Sequence, residues 1–112
     1  MRVMSEADIN VYLEVLGTEE ALGAALNWYR AGTGGATAAT PPPPSIVTAP
    51  TLYVWSTNDA AFTRATAEAT EEFVTGPYRF EVLEGVSHWI AEEAPERLSE
   101  LLVEHLQQWR EH

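Results

Sequence analysis

Residues 51–59 read TLYVWSTND and residues 78–88 read YRFEVLEGVSH. The run from Thr51 to Trp55 holds β-branched and aromatic side chains and no charge, the composition of a strand buried on both faces of a parallel sheet. Ser56, Thr57, Asn58 and Asp59 then form a turn cluster. Residues 78–83 alternate in character and predict a second strand, with residues 84–88 as its following loop. Between the two, Phe62, Ala65, Ala69 and Phe73 mark a helix ending near Gly76 and Pro77. Beyond them, Leu98, Leu102, Leu106 and Trp109 form the apolar stripe of a final helix begun after Pro95. The order strand, helix, strand, helix predicts an α/β fold whose two strands run parallel, over residues 50–112.

Upstream the pattern is helical. Ser5 and Asp8 form a capping box with Asp in place of Glu, and Ile9, Tyr12, Leu13 and Leu16 repeat at helical spacing until Gly17 stops them. Thr18 is a second N-cap, Glu19 and Glu20 suit the positive end of a helix, and Leu22, Ala25, Leu26 and Tyr29 continue the periodicity. Residues 1–31 therefore read as a helical hairpin with one apolar face. Residues 32–49 read as a linker: Gly32, Gly34 and Gly35 start it flexible, and four consecutive prolines, Pro41 to Pro44, end it stiff.

The chain has 112 residues, with 6 basic and 17 acidic side chains giving a net charge of −11. All six basic residues are arginines, scattered along the chain, so a phosphate backbone or an anionic membrane surface is disfavoured as a partner. No apolar run reaches the roughly 20 residues that span a bilayer. With no cysteine there are no disulfides, thiolate nucleophiles or Cys-based metal sites, and the N-terminus lacks the pattern of a secretory signal, which together point to the cytoplasm. The three histidines are too dispersed for a metal site. A two-stranded sheet leaves edges and a helix face uncovered, so the chain reads as part of something larger and is expected to self-associate through those edges when alone.

Open α/β sheets place ligands and catalytic groups beyond the carboxyl ends of their parallel strands. Asp59 and His88 both occupy that kind of position, and an Asp oriented on a His is the base-plus-orienter half of a catalytic triad. Each also has a plain structural reading: Asp59 as a turn residue or N-cap, and His88 as an exposed histidine beside Trp89. His105 reads as a packing or surface residue, and His112 is terminal. Glu92, Glu93 and Glu96 read as a solvated acidic turn ahead of the last helix.

The stretch TLYVWSTNDAAF, followed by EVLEGVSHWIAEEAPERLSELLVEHL, resembles the C-terminal half of α/β-hydrolase-fold enzymes, in particular the epoxide hydrolase and haloalkane dehalogenase branch. The segment Gly85-Val86-Ser87-His88-Trp89 matches that branch's base-bearing G-x-x-H-W, and Asp59 matches its acid. Asn27-Trp28-Tyr29-Arg30 resembles the N-W-Y-R motif near the end of the epoxide hydrolase cap, whose tyrosine hydrogen-bonds the oxirane oxygen. The resemblance implies catalytic roles for His88, Asp59 and Tyr29, a small or medium apolar epoxide and water as substrates, and no cofactor. It departs at Ser56, where members usually carry Gly, and at Ala91, where Pro is frequent.

No G-x-S-x-G or G-x-D-x-G frame surrounds any serine or aspartate, and no H-G-x-P oxyanion segment is present. The expectation is a chain bearing part of a cap, the triad acid and the triad base, without the nucleophile or oxyanion hole, and inactive alone. Two alternatives stand beside it: a haloalkane or haloacetate dehalogenase-like chain, and a non-catalytic remnant serving as an interaction module.

Overall fold

The computed structural model describes residues 4–33 and 43–110, which fall into two units, one up to Pro43 and one from Pro44 onward. Half of the predicted Gly/Pro linker, residues 34–42, lies outside the described residues.

The first unit holds α1 (Glu6–Leu16) and α2 (Glu19–Thr33). The capping box forms as the sequence predicts: Ser5 Oγ accepts from Asp8 N at 3.2 Å and Asp8 Oδ2 accepts from Ser5 N at 2.9 Å. Ser5 Oγ also donates to Asp8 Oδ2 at 2.6 Å, and this bond, with the one from Ser5 N, holds the Asp8 carboxyl below the ordinary carboxylate range. Gly17 ends α1 with its N–H donating to Leu13 O, and Thr18 Oγ1 accepts from Ala21 N to open α2. The second helix runs through Ala31 and Gly32, residues that the composition assigns to the end of the hairpin and the start of the linker. No residue of α1 is buried, and Ile9, Tyr12, Leu13, Leu22, Leu26 and Tyr29 are all exposed.

In the second unit, β1 (Thr51–Asn58) and β2 (Tyr78–Ser87) pair in parallel, with Thr51 opposite Tyr78 and Ser56 opposite Leu83. Both strands outlast their predicted ends at Trp55 and Leu83. Burial concentrates at the C-terminal end of β1, where Trp55 and Ser56 are buried; its other residues are half-buried or exposed, because two strands alone cannot cover both faces. Tyr53 and Phe80, opposite each other in register, stack with ring centroids 5.4 Å apart. The predicted helix after β1 is shorter and divided: α3 (Arg64–Ala69) passes into a 3-10 turn, Thr70–Phe73. Val47, inside the stretch read as linker, forms a parallel bridge to Val74, with Val47 N donating to Phe73 O and Thr75 N to Val47 O.

A short helix α4 (Ile90–Glu93) precedes α5 (Pro95–Gln108). The buried side of α5 is rotated from the predicted stripe: Leu101 is fully buried with Leu98, His105 and Trp109 half-buried, whereas Leu102 and Leu106 are exposed. One ion-pair chain, joined through Glu81, ties α5 to β2. Arg79 reaches Glu81 at 2.7 Å and Glu104 at 3.0 Å, and Arg97 lies between Glu81 and Glu100.

Candidate active site

The two strands end in different ways, and the difference builds the site. After Ser56 opposite Leu83, the next registered pair is Asn58 opposite Ser87, so β2 spends two more residues than β1 over the same interval. The excess is absorbed around Gly85, whose φ of +74° is a conformation that side chains beyond hydrogen rarely adopt. Three successive side chains of β1 secure this bulge. Ser56 Oγ donates to Ser87 O at 2.7 Å, Thr57 Oγ1 accepts from Gly85 N at 2.8 Å, and Asn58 Nδ2 donates to Gly85 O at 3.1 Å. Ser56, where the resembling family usually carries Gly, sits fully buried in the strand, and no non-glycine residue among those described has a positive φ.

Asp59 follows β1 directly. Its Oδ1 accepts from Ala61 N at 2.7 Å and Phe62 N at 2.9 Å, an Asx turn that fixes the carboxylate at the strand's end. Trp55 Nε1 closes the same loop by donating to Phe62 O at 3.1 Å, and the Arg64 guanidinium lies over the Trp55 ring. His88 follows β2, and its Nδ1 is 3.0 Å from Asp59 Oδ2. The Asp59 side chain is only 6% exposed, whereas that of His88 is 40% exposed. His88 is flanked by Phe62, at 6.1 Å between centroids, and by Trp89 edge-on at 5.6 Å.

Burial pushes the Asp59 carboxyl upward, but the bond from His88 and those from the Phe62 and Ala61 amides outweigh it and hold the group below its ordinary value. Asp59 is therefore ionised at neutral pH and can only accept, which places the proton of the shared bond on His88 Nδ1. In the neutral imidazole that leaves a lone pair on Nε2, the nitrogen turned away from Asp59. Burial also raises the Tyr53 phenol, with the Asp59 charge adding to the effect.

Tyr29, the third predicted site residue, lies on α2 in the other unit, with two thirds of its surface exposed. Beside it, Arg30 Nη1 donates to Asn27 Oδ1 at 2.7 Å, so the polar ends of Asn-Trp-Tyr-Arg bond to each other across one helical turn. One residue near the site escaped the sequence reading. Glu93, read there as solvated, turns its side chain back so that Oε2 accepts from Ser87 N at 3.1 Å. Among the described residues, no group of three His, Asp or Glu could hold a metal ion, and no helix is long and apolar enough to cross a membrane.

No protein-family model matches the chain. Individual proteins do. Human epoxide hydrolase 4 is 29% identical over 99 residues, covering 88% of this chain and 26% of that protein. The AB hydrolase superfamily protein YfhM of Bacillus subtilis is 34% identical over 104 residues, 93% of this chain and 35% of that protein. The crystal structure of epoxide hydrolase A from Mycobacterium thermoresistibile superposes with a TM-score of 0.69 at 25% identity, over 96% of this chain and 33% of that one. The chain thus spans between a quarter and about a third of the relatives it matches. Parallel strands carrying an Asp-His pair at their carboxyl ends, with these relatives, define a chain of the α/β-hydrolase class, its sheet corresponding to the C-terminal part of that fold. Within the class it is epoxide hydrolase-like.

Proposed function

We propose that this chain carries the water-activating half of an epoxide hydrolase, with His88 as general base, Asp59 as its orienting acid and Tyr29 as a hydrogen-bond donor to the epoxide oxygen. The observation that carries the reading is the 3.0 Å contact between Asp59 and His88 at adjacent strand ends. In the reaction, a carboxylate nucleophile opens the epoxide to a hydroxyalkyl ester, and the Tyr29 phenol donates to the oxygen as it gains charge. Water then attacks the ester carbonyl while passing a proton to His88 Nε2, the ester C–O bond breaks as His88 returns that proton to the departing diol oxygen, and the carboxyl proton left on the nucleophile restores the Tyr29 phenol that protonated the opened epoxide oxygen. The Asp59 carboxylate steadies the imidazolium formed in that step. No cofactor enters.

The nucleophile is not among these residues. Asp8 and Asp59 are the sole aspartates of the sequence, and neither has the glycine frame of an elbow. The 112-residue chain alone accordingly leaves epoxides intact, and activity requires the nucleophile and oxyanion hole from another polypeptide segment. Residues 1–31 serve as cap, residues 32–49 as its link and residues 50–112 as the core portion, in a cytoplasmic setting. The phenol of Tyr29 within Asn-Trp-Tyr-Arg favours an epoxide over a haloalkane, whose halide would be stabilised by indole donors.

The test is a chimaera in which this chain replaces the matching third of the Mycobacterium thermoresistibile enzyme. It is expected to hydrolyse an aryl epoxide, and its His88→Gln form is expected to stall at the ester, visible by mass spectrometry as an adduct of substrate mass. Unimpaired turnover by the His88→Gln chimaera overturns the assignment.

A further inference from the structure

Ser87, the residue before His88, has every polar group engaged. Its carbonyl accepts from Ser56 Oγ at 2.7 Å, its hydroxyl accepts from Trp89 N at 3.2 Å, and its N–H donates to Glu93 Oε2 at 3.1 Å. The first two partners come from β1 and from the chain just beyond. The third comes from α4, just past the register shift at Gly85, where Ser87 pairs with Asn58. A part-buried amide without an acceptor is costly, and the peptide relieves that cost by turning toward another one. Such a rotation swings the Cα–Cβ bond of the following residue, and His88 Nδ1 sits at the end of that bond, 3.0 Å from Asp59.

We propose that Glu93 is a positioning residue for His88: its carboxylate, returned from α4 to the Ser87 amide, holds the backbone orientation at which the imidazole meets Asp59 and keeps its proton on Nδ1. The inference rests on the reading of His88 as the base, since only a base needs Nε2 held bare. Glu93 touches no reacting atom.

The tautomer of His88 is the readout, measured on the intact 112-residue chain by long-range proton–nitrogen correlation of its imidazoles at a pH where they are neutral. The native chain is expected to show His88 predominantly protonated on Nδ1. Glu93→Gln keeps an acceptor oxygen at the same reach and is expected to preserve that predominance. Glu93→Ala is expected to lose it and give a mixture of tautomers. Glu93→Asp keeps the charge but is one methylene short, and is expected to behave like Glu93→Ala; it serves if the alanine variant fails to fold. Survival of the Trp55 indole N–H resonance reports that the loop closed onto Phe62 is intact. An unchanged tautomer in Glu93→Ala or Glu93→Asp overturns the proposal, as does a Glu93→Gln variant that shifts as far as Glu93→Ala, which would assign the effect to charge. A Glu93-dependent tautomer together with full turnover by the His88→Gln chimaera leaves the positioning intact and removes the base role, so the two failures are separate.

Discussion

Trp55 Nε1 donates to Phe62 O at 3.1 Å, closing from the sheet side the loop that Asp59 closes from its tip. The indole is 5% exposed, so the bond is shielded from water. Trp55→Phe removes the donor and strands the carbonyl, and is expected to cost about 1–3 kcal/mol. Chemical denaturation of the two chains side by side measures it. The same change is expected to loosen the Asp59 turn, seen as faster hydrogen exchange at the Ala61 and Phe62 amides.

Asp59 supplies a pH dependence with a definite sign. Its folded value lies below the ordinary aspartate value of about 3.8, so the stability it contributes is fully present above about 3.8 and is lost as pH falls through the lowered folded value. Asp59→Asn cannot ionise and would present an amide donor to His88, favouring the wrong tautomer. Thermal melts from pH 7 down to 2 are expected to show the native chain above the variant at neutral pH, with the gap closing below about 3.8. In the chimaera the same variant is expected to slow epoxide hydrolysis by roughly 10³–10⁴.

Two glycines separate backbone strain from overlap. At Gly85 an added Cβ meets nothing within 4 Å, so Gly85→Ala pays only for its positive φ, about 1–2 kcal/mol. At Gly76 a Cβ would overlap Thr48 O and come within 2.7 Å of Ala49 O, both backbone atoms that cannot swing aside. Gly76→Ala is expected to cost about 3 kcal/mol or more by disrupting the Val47–Val74 bridge. Equal losses in urea titrations of the two variants would refute this ordering.

Tyr78 offers a change in the opposite direction. Its phenol oxygen is buried without a hydrogen-bond partner, and burial together with Glu71 and Tyr53 pushes its pKa up. Tyr78→Phe leaves the ring in place and relieves that desolvation, so it is expected to be neutral or stabilising by about 1 kcal/mol. A fall in melting temperature would contradict it.

The strands and the pairing of Asp59 with His88 were legible because Thr51 to Trp55 and Tyr78 to Leu83 carry β-forming side chains, and both candidate residues sit just beyond them. The strand ends were not. Ser56, Thr57 and Asn58 are turn-formers by local preference, yet each spends its side chain across the sheet on the bulge at Gly85, a partner 27 to 31 residues away. In α5, leucines at 98, 101, 102 and 106 fit two helical faces equally, and only packing against the sheet selects Leu101 over Leu102. Glu93 was hidden for a related reason: an acid in an acidic run looks solvated, and its bond to the Ser87 amide folds the chain back over six residues, which local preference does not reveal.

The bulge at Gly85 also makes the Asp59–His88 pair a portable piece. Every hydrogen bond that sets their separation starts and ends between Trp55 and Glu93, within fewer than forty consecutive residues. A segment with that property can be transplanted, recombined or inherited whole, its Asp-His distance travelling with it and requiring no adjustment from the host.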